Sequence, residues 1–417
     1  MTDLSTKKVL FFDRGYYTSI AEKLAESYGK VYYYIPQSTP YPSSPVKKIG
    51  EGVKGLECIP DFWKVVDKVD IIVFMDCYDG DLQYWLRKKG YLVFGSGASE
   101  KLELDRPYLL ECLKKVGLAV PKTYRAVGLD DLCKYLDGKT DKWLKRSYFR
   151  GDFETYHYKS KEHLQPWIDD LRERIGRGAD DIEILVQNPV ESSCEIGYDG
   201  FCIDGEFVNK NCLVGYEVKD KGYIGKIMDK TPTILKHVND KMSSIYKHHG
   251  YRGHYSSEIR ITKEGKPYFM DATCRAPTPP SQVMTEIYKN YGNVVWDIAE
   301  GKVPVMEPIA KYGAEIILYS PWNKTHELCV EIPKDVSKWV KLYNQKYRGN
   351  IPYIVPNSGD GDFGAAIGLG NTVKEAIEKC MDVASQITAD KLAYDKNIFS
   401  EVSEQIAAGE KNGINFA

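Results

Sequence analysis

The first 95 residues alternate short apolar runs with amphipathic stretches. Val9 to Phe12 reads as a buried strand, Asp13 to Gly15 as a turn, and the next segment carries Ile20 and Leu24 at helical spacing. Val31 to Ile35, Ile71 to Met75 and Tyr91 to Phe94 read as further strands, with a helix around Leu82 to Arg87 before the last. Strands separated by helices predict a parallel sheet. Pro36 to Pro45 holds four prolines among serines and a threonine, so it is expected to be a loop of the kind that borders ligands at strand ends.

A helix is expected next, with Asp105 as N-cap, Pro107 in the first turn, Leu109, Leu113 and Val116 on its apolar stripe, and Gly117 as its stop. From Pro121 to about 275 the pattern is strand-rich: Trp143 to Phe149, Glu154 to Tyr158, Ile184 to Gln187, Glu195 to Phe207, and a hairpin over Tyr255 to Thr273. Helices are expected near 161–174 and 233–248. The last hundred residues are mixed, with Ala314 to Tyr319 strand-like and Val373 to Ile387 an amphipathic helix bearing Ala376, Ile377, Cys380 and Val383. The fold class is therefore α/β in three parts.

Composition narrows the function classes. With 417 residues, 43% of them hydrophobic, and 57 basic against 59 acidic residues, the chain is a nearly neutral multidomain globule of net charge −2. That balance gives no support to bulk capture of nucleic acid. The ten cysteines include no CxxC pair and there is no histidine cluster at zinc-ligand spacing, so reduced, mostly buried thiols are expected. No apolar run approaches the roughly 20 residues that span a bilayer, and MTDLSTKK lacks the apolar core of a signal peptide, which points to the cytoplasm.

Common nucleotide and hydrolase motifs are absent. The turn after the first strand, Asp13-Arg14-Gly15-Tyr16-Tyr17, has one glycine where a dinucleotide fingerprint needs three. Gly138-Lys139-Thr140 lacks the earlier glycine of a P-loop, its place being taken by Cys133. HExxH, GxSxG and the protein-kinase set are missing as well.

The informative stretch runs from Tyr255 to Arg275 and reads as two strands joined by a two-residue Glu264-Gly265 turn. That turn places Glu258 opposite Asp271, with side chains about 5 Å apart at Cβ, where like charges repel unless something offsets them. Period-two alternation adds Thr273 and Arg275 to the face of Asp271 and Arg260 to that of Glu258. Hard oxygen ligands beside guanidiniums fit a divalent cation and a polyphosphate. An exposed hairpin in which the two acids pair with Arg260 and Arg275 fits the same spacing.

At these residues the chain resembles the ATP-grasp superfamily, whose metal hairpin has a Glu and then Tyr-Phe-(Ile/Met)-(Glu/Asp)-x-Asn-x-Arg, here Tyr268-Phe269-Met270-Asp271-Ala272-Thr273-Cys274-Arg275. Leu144-Lys145, then Leu185-Val186-Gln187-Asn188-Pro189-Val190, then Glu195 follow the family's order. In length, in the helix over Leu104 to Val116 and in the ending Gly368-Leu-Gly-Asn-Thr-Val-Lys-Glu375-Ala376, the chain is most similar to the phosphoribosylamine-glycine ligase branch. The resemblance implies a pre-ATP-grasp domain over 1–118, an ATP-grasp domain over 119–312 with a lid subdomain at about 121–190, and a small C-terminal α/β domain over 313–417.

It also implies an ATP-dependent carboxylate-amine ligase that releases ADP and phosphate through an acylphosphate, with Mg²⁺ or Mn²⁺ on Glu258 and Asp271. Arg106 and Lys145 would contact phosphates, Gln187 and Val190 adenine, and Glu195 the ribose; Lys145 and Arg275 would be catalytic. Arg146 to Thr155 would cover the phosphates. Each of these residues has an ordinary reading as a solvated charge or strand residue. Thr273 replaces the family's asparagine with a weaker oxygen ligand, which leaves metal stoichiometry open. Asp13 to Tyr17, Ala276 to Pro280 and the short acceptor loop expected at Lys219 to Lys226 depart from the glycine-ligase branch, so another small carboxylate and amine are expected. Asp13, Arg14, Gly15, Tyr16, Gly222 and Tyr223 are expected to line their pocket. His254, near the hairpin start, is either an aid to the amine or structural. A drifted glycinamide-forming ligase and a non-catalytic ATP-binding or regulatory protein are the competing readings, and a homodimer is left open.

Overall fold

The computed structural model of the chain describes residues 1–36, 48–147, 155–218, 221–356, 361–400 and 402–416. Strands β1 (Lys8–Phe12), β2 (Lys30–Tyr34), β3 (Leu56–Cys58), β4 (Ile71–Phe74) and β5 (Val93–Phe94) form a parallel sheet of order β3-β2-β1-β4-β5. Continuous apolar runs such as Val9 to Phe12 are buried on both faces, which is what a parallel sheet covered by helices demands. Helices α1 (Thr18–Ala25), α2 (Gly80–Lys88) and the short α3 (Glu100–Leu104) accompany it. Because the order reverses between β1 and β4, their carboxyl ends open a crevice. The Pro36 to Pro45 loop expectation falls largely on 37–47, outside the described residues.

Helix α4 (Arg106–Lys115) starts where expected: the Asp105 carboxylate accepts from the Tyr108 amide at 3.0 Å. Gly117, at φ +72°, ends the turn after it. A separate four-stranded sheet of order β6-β9-β7-β8 follows, built from β6 (Thr123–Val127), β7 (Lys142–Arg146), β8 (Thr155–Tyr158) and β9 (Glu183–Gln187). With α5 (Leu129–Leu136) and α6 (Lys161–Ile175) it closes its own core around Leu132, Leu144, Ile168 and Val186.

The largest sheet has nine strands, along β15-β14-β10-β12-β13-β16-β21-β18 with β11 beside β10. Its members include β10 (Cys194–Ile203), β11 (Glu206–Phe207), β12 (Cys212–Val218), β13 (Gly222–Met228), β14 (Arg252–Ile261), β15 (Pro267–Thr273) and β16 (Tyr312–Tyr319). β17 (Leu328–Glu331) lies in a smaller sheet, and β18 (Val340–Leu342) completes the large one. β19 (Gln345–Arg348), β20 (Ile351–Ile354) and β22 (Thr388–Ala389) join β17, while β21 (Asp362–Gly370) pairs with β16. The pairing of β13 with β16 carries one sheet across residue 312, where the sequence divides central from closing domain. Helices α7 (Thr233–His249) and α10 (Val373–Ser385) contribute to the core on one face of this sheet. α8 (Ser281–Ile287) and α9 (Tyr291–Ala299) join the other face to the N-terminal unit, and α11 (Val402–Lys411) lies near β10 and β12.

Three sequence expectations need correction. Glu195 to Phe207 is two strands, because Asp204 and Gly205 both take positive φ and fold a two-residue hairpin loop. The segment expected as an acceptor loop is strand from Gly222 on, and Lys219 and Asp220 lie outside the described residues. The hairpin at 264–265 is a longer turn: the Thr262 amide bonds the Lys266 carbonyl, and Gly265, at φ +76°, closes three loop residues. Among the described residues, no helix is long and apolar enough to cross a membrane.

Candidate active site

The longer turn would shift the β14–β15 register by one residue and separate the two acids. A bulge restores it: Ile259 pairs with Phe269 but Glu258 pairs with Asp271, leaving Met270 as the extra residue. The carboxylates therefore oppose each other as the spacing predicted, through two departures that cancel. Ser256 pairs with Thr273 two residues along, and Glu195 of β10 pairs with Arg260.

Neighbouring strands continue this face. Gly197, Gly215, Gly225 and Gly313 pair in succession across β10, β12, β13 and β16, a row without side chains. The Tyr223 ring lies along it, since a Cβ on Gly215 or Gly225 would overlap that ring or its hydroxyl. The cleft above the face has a volume of about 250 Å³ and is lined by Lys145, Gln187, Glu195, Asp199, Glu217, Tyr223, Glu258, Asp271, Thr273 and Arg275 among others.

Asp271 is the hub. Its Oδ2 lies 2.9 Å from Arg106 Nη2 and 3.7 Å from Lys145 Nζ. Arg106 comes from the first turn of α4, and Lys145 from β7 of the separate four-stranded sheet, so three parts of the chain meet at one carboxylate. Arg106 is buried, and its amide donates to Ser147 Oγ at 3.1 Å. Lys145 also donates to the Met270 carbonyl at 3.4 Å. Burial pushes the Asp271 carboxyl up, but Arg106 and Lys145 together outweigh it and hold the group below the ordinary carboxylate range. Burial raises the Glu258 carboxyl well above its usual value, with Glu195 and Asp271 adding repulsion that Lys145 offsets in part. A divalent cation would relieve that strain directly.

The exposed-hairpin pairing is thus half realised. Arg260 bonds Glu195 at 2.7 Å and approaches Glu258 at 4.0 Å, but Arg275 turns to Glu103 of α3 at 2.7 Å. The other Glu103 oxygen accepts the Cys274 amide at 2.7 Å. The same bend docks on the N-terminal crevice: the Tyr17 hydroxyl donates to the Ala276 carbonyl and the Ala276 amide to the Met75 carbonyl, at 2.9 and 2.8 Å.

Gln187 lines the cleft with its Oε1 buried and unpartnered, while Nε2 reaches Thr123 Oγ1 at 3.4 Å. Val190 lies apart, in a neighbouring depression with Pro121 and Tyr268. Of the residues expected to form a substrate pocket, Tyr223 lines the cleft. Asp13 is turned inward, accepting from the Arg14 and Tyr17 amides and the Tyr33 hydroxyl at 2.7, 3.0 and 2.7 Å. Arg14 pairs with Asp79 at 3.0 Å, Gly15 supplies the turn at φ +107°, and Tyr16 stacks on Tyr343. Gly222 packs against β16 and Ile398. His254 is buried among Phe94, Phe201 and Tyr291, its ring nitrogen meeting the Tyr291 hydroxyl at 3.1 Å, and burial pushes its pKa down to about 3. The phosphate-covering loop falls mostly on 148–154, outside the described residues; Arg146 ends β7 with its guanidinium 4.9 Å from the Trp167 ring.

Three cleft acids, Glu103, Asp199 and Glu217, were not singled out from sequence. Glu103, between Leu102 and Leu104 on a short helix, carries no local signal. Asp199 does: an acid inside the apolar run Cys194 to Ile203 calls for a partner. It is 3% exposed and accepts from Ser256 Oγ at 2.6 Å and the Tyr223 hydroxyl at 2.7 Å.

No protein-family model and no curated protein sequence matches the chain. Solved structures do. A phosphoribosylamine-glycine ligase from Thermotoga maritima superposes with a TM-score of 0.70 at 16% identity, covering 93% of this chain and 98% of that one. N5-carboxyaminoimidazole ribonucleotide synthetase from the same organism gives 0.63 at 14%, covering 93% and 100%. The biotin carboxylase domain dimer of a Hydrogenobacter thermophilus 2-oxoglutarate carboxylase, solved with MgADP, ADP and bicarbonate, gives 0.66 at 14%, covering 98% and 94%. The chain has the ATP-grasp fold of these ligases.

Proposed function

We propose that the chain is an ATP- and Mg²⁺-dependent carboxylate-amine ligase working through an acylphosphate. The observation that carries this reading is the convergence of Arg106 and Lys145, from two different units, on Asp271 opposite Glu258. A cation pair gathered around one strand carboxylate fits a polyphosphate site better than an isolated ion pair. The unpartnered Gln187 Oε1 suits the exocyclic amine of adenine. The MgADP complex of one matched structure supports a nucleotide in the corresponding cleft.

The donor set fits Mg²⁺. Among the described residues no cluster of three or more His, Cys, Asp or Glu side chains is poised to enclose a metal ion. A cation held by Glu258 and Asp271, with Thr273 beside them, would complete its shell from phosphate oxygens and water, as Mg²⁺ commonly does. When bound, it would neutralise charge on the polyphosphate.

Arg106 and Lys145 would then exchange Asp271 for phosphate oxygens, with Arg106 placed at the positive N-terminus of α4. The substrate carboxylate attacks the γ-phosphorus and ADP leaves; the amine nitrogen next attacks the acyl carbon and phosphate leaves. Arg275, oriented by Glu103, would stabilise charge on the transferring phosphoryl group. The acid and amine are small molecules distinct from those of the glycine-ligase branch, as the changed Ala276 to Pro280 bend suggests.

The test is a screen of small carboxylic acids with MgATP and hydroxylamine, read as ADP and hydroxamate. Hydroxamate formed with one acid class and abolished by Asp271→Asn is expected. ADP release from no acid, despite nucleotide binding, would favour a binding protein instead.

A further inference from the structure

The proposed reaction needs a group to receive the protons an amine gives up, and the nucleotide has no evident use for Asp199. This carboxylate lies on the cleft wall, cross-strand from Ser256, which stands two residues before Glu258 on β14. Ser256 and Tyr223 each donate to one of its oxygens, at 2.6 and 2.7 Å. Two neutral hydroxyls fix its direction without neutralising its charge. Among the described residues no lysine, arginine or histidine forms an ion pair with it.

The support beneath it is specific. Tyr223 can reach Asp199 because Gly215 and Gly225 leave room for its ring; any Cβ at either position would overlap it. Glu217, cross-strand from Tyr223, also lines the cleft, and Arg275 is engaged by Glu103. The cleft wall at Asp199 therefore carries a carboxylate held by neutral hydroxyls alone, which suits a positively charged amine and not a second carboxylate.

We propose that Asp199 is the amine-end carboxylate of this site: it binds the ammonium group of the nucleophile and takes its proton. The assignment rests on the ligase reading. One N–H proton of the ammonium passes to Asp199, freeing the nitrogen lone pair. The C–N bond forms at the acyl carbon, the C–O bond to phosphate breaks, and the second proton leaves with the phosphate as HPO₄²⁻. The third stays on the amide. Burial pushes the Asp199 carboxyl up to about 6, against the two hydroxyl hydrogen bonds, so it is ionised at neutral pH yet more basic than an ordinary aspartate.

Two measurements decide it. In the first, melting of the wild type and of Asp199→Asn is compared in methylammonium chloride and in potassium chloride of equal ionic strength. Stabilisation by methylammonium in the wild type alone is expected; equal curves in both proteins overturn the assignment. In the second, with an acid that passes the hydroxylamine screen, amide formation from alkylamines is compared with hydroxamate formation. Hydroxylamine is neutral at pH 7.5 and has no ammonium proton to surrender. Asp199→Asn should lower the amide-to-hydroxamate rate ratio by about 10²-fold or more; an unchanged ratio overturns the assignment. A negative acid screen counts against the ligase reading and leaves the methylammonium comparison to decide on Asp199.

Discussion

Arg106 Nη2 stands 2.9 Å from Asp271 Oδ2, joining the start of α4 to the metal-ligand candidate of β15 across 165 residues of sequence. If those cations serve phosphate, Arg106→Ala should weaken MgATP by about tenfold or more, a charged hydrogen bond contributing roughly 1.5–3 kcal/mol. Arg106→Lys should recover part of this, because it keeps the charge but loses the planar fork. Calorimetric titration of both variants checks it.

Gln187 offers a buried acceptor without a partner. Gln187→Leu should weaken ATP by about fivefold, the net value of one neutral hydrogen bond. It should also erase any preference for ATP over ITP, whose base carries a carbonyl where adenine has an amine. Competition of the two nucleotides measures this.

Glu103 holds Arg275 and the Cys274 amide together. Glu103→Gln should keep the fold and lower turnover with little change in ATP affinity. Glu103→Ala leaves a half-buried guanidinium without its carboxylate and should cost about 1.5–3 kcal/mol of stability. Turnover and denaturant melts separate the two.

Glu315, cross-strand from Tyr223, is fully buried, and burial pushes its carboxyl up to about 8 against a backbone hydrogen bond from Val283. The unfolded chain releases this proton near the ordinary carboxylate range, so stability is full below about pH 4 and declines as pH rises toward 8. The slope from this group is about 1.4 kcal/mol per pH unit. Glu315→Gln should flatten it and raise the melting temperature more at pH 8 than at pH 5, which thermal scans across that range would show.

What sequence reveals here depends on how local the physics is. The N-terminal sheet was legible because Val9 to Phe12 and Ile71 to Phe74 are apolar throughout, as burial on both faces requires. Strands β12 and β13 were not, because Gly215 and Gly225 leave gaps in the alternating pattern where the Tyr223 ring lies. Asp13 looked like a pocket residue from its place after the first strand, yet Tyr33 and two backbone amides occupy its carboxylate. The Glu258–Asp271 opposition was legible although neither the turn nor the bulge was. Glu103 could not be read at all, since Arg275 lies 172 residues away.

The most direct test of the central claim is calorimetric titration of a non-hydrolysable ATP analogue into the wild type and into a Glu258→Gln, Asp271→Asn double variant, with and without Mg²⁺. The site described here predicts tight binding by the wild type that Mg²⁺ strengthens, and no Mg²⁺ effect in the double variant. Equal Mg²⁺ effects in both proteins, or no binding by the wild type, would contradict it.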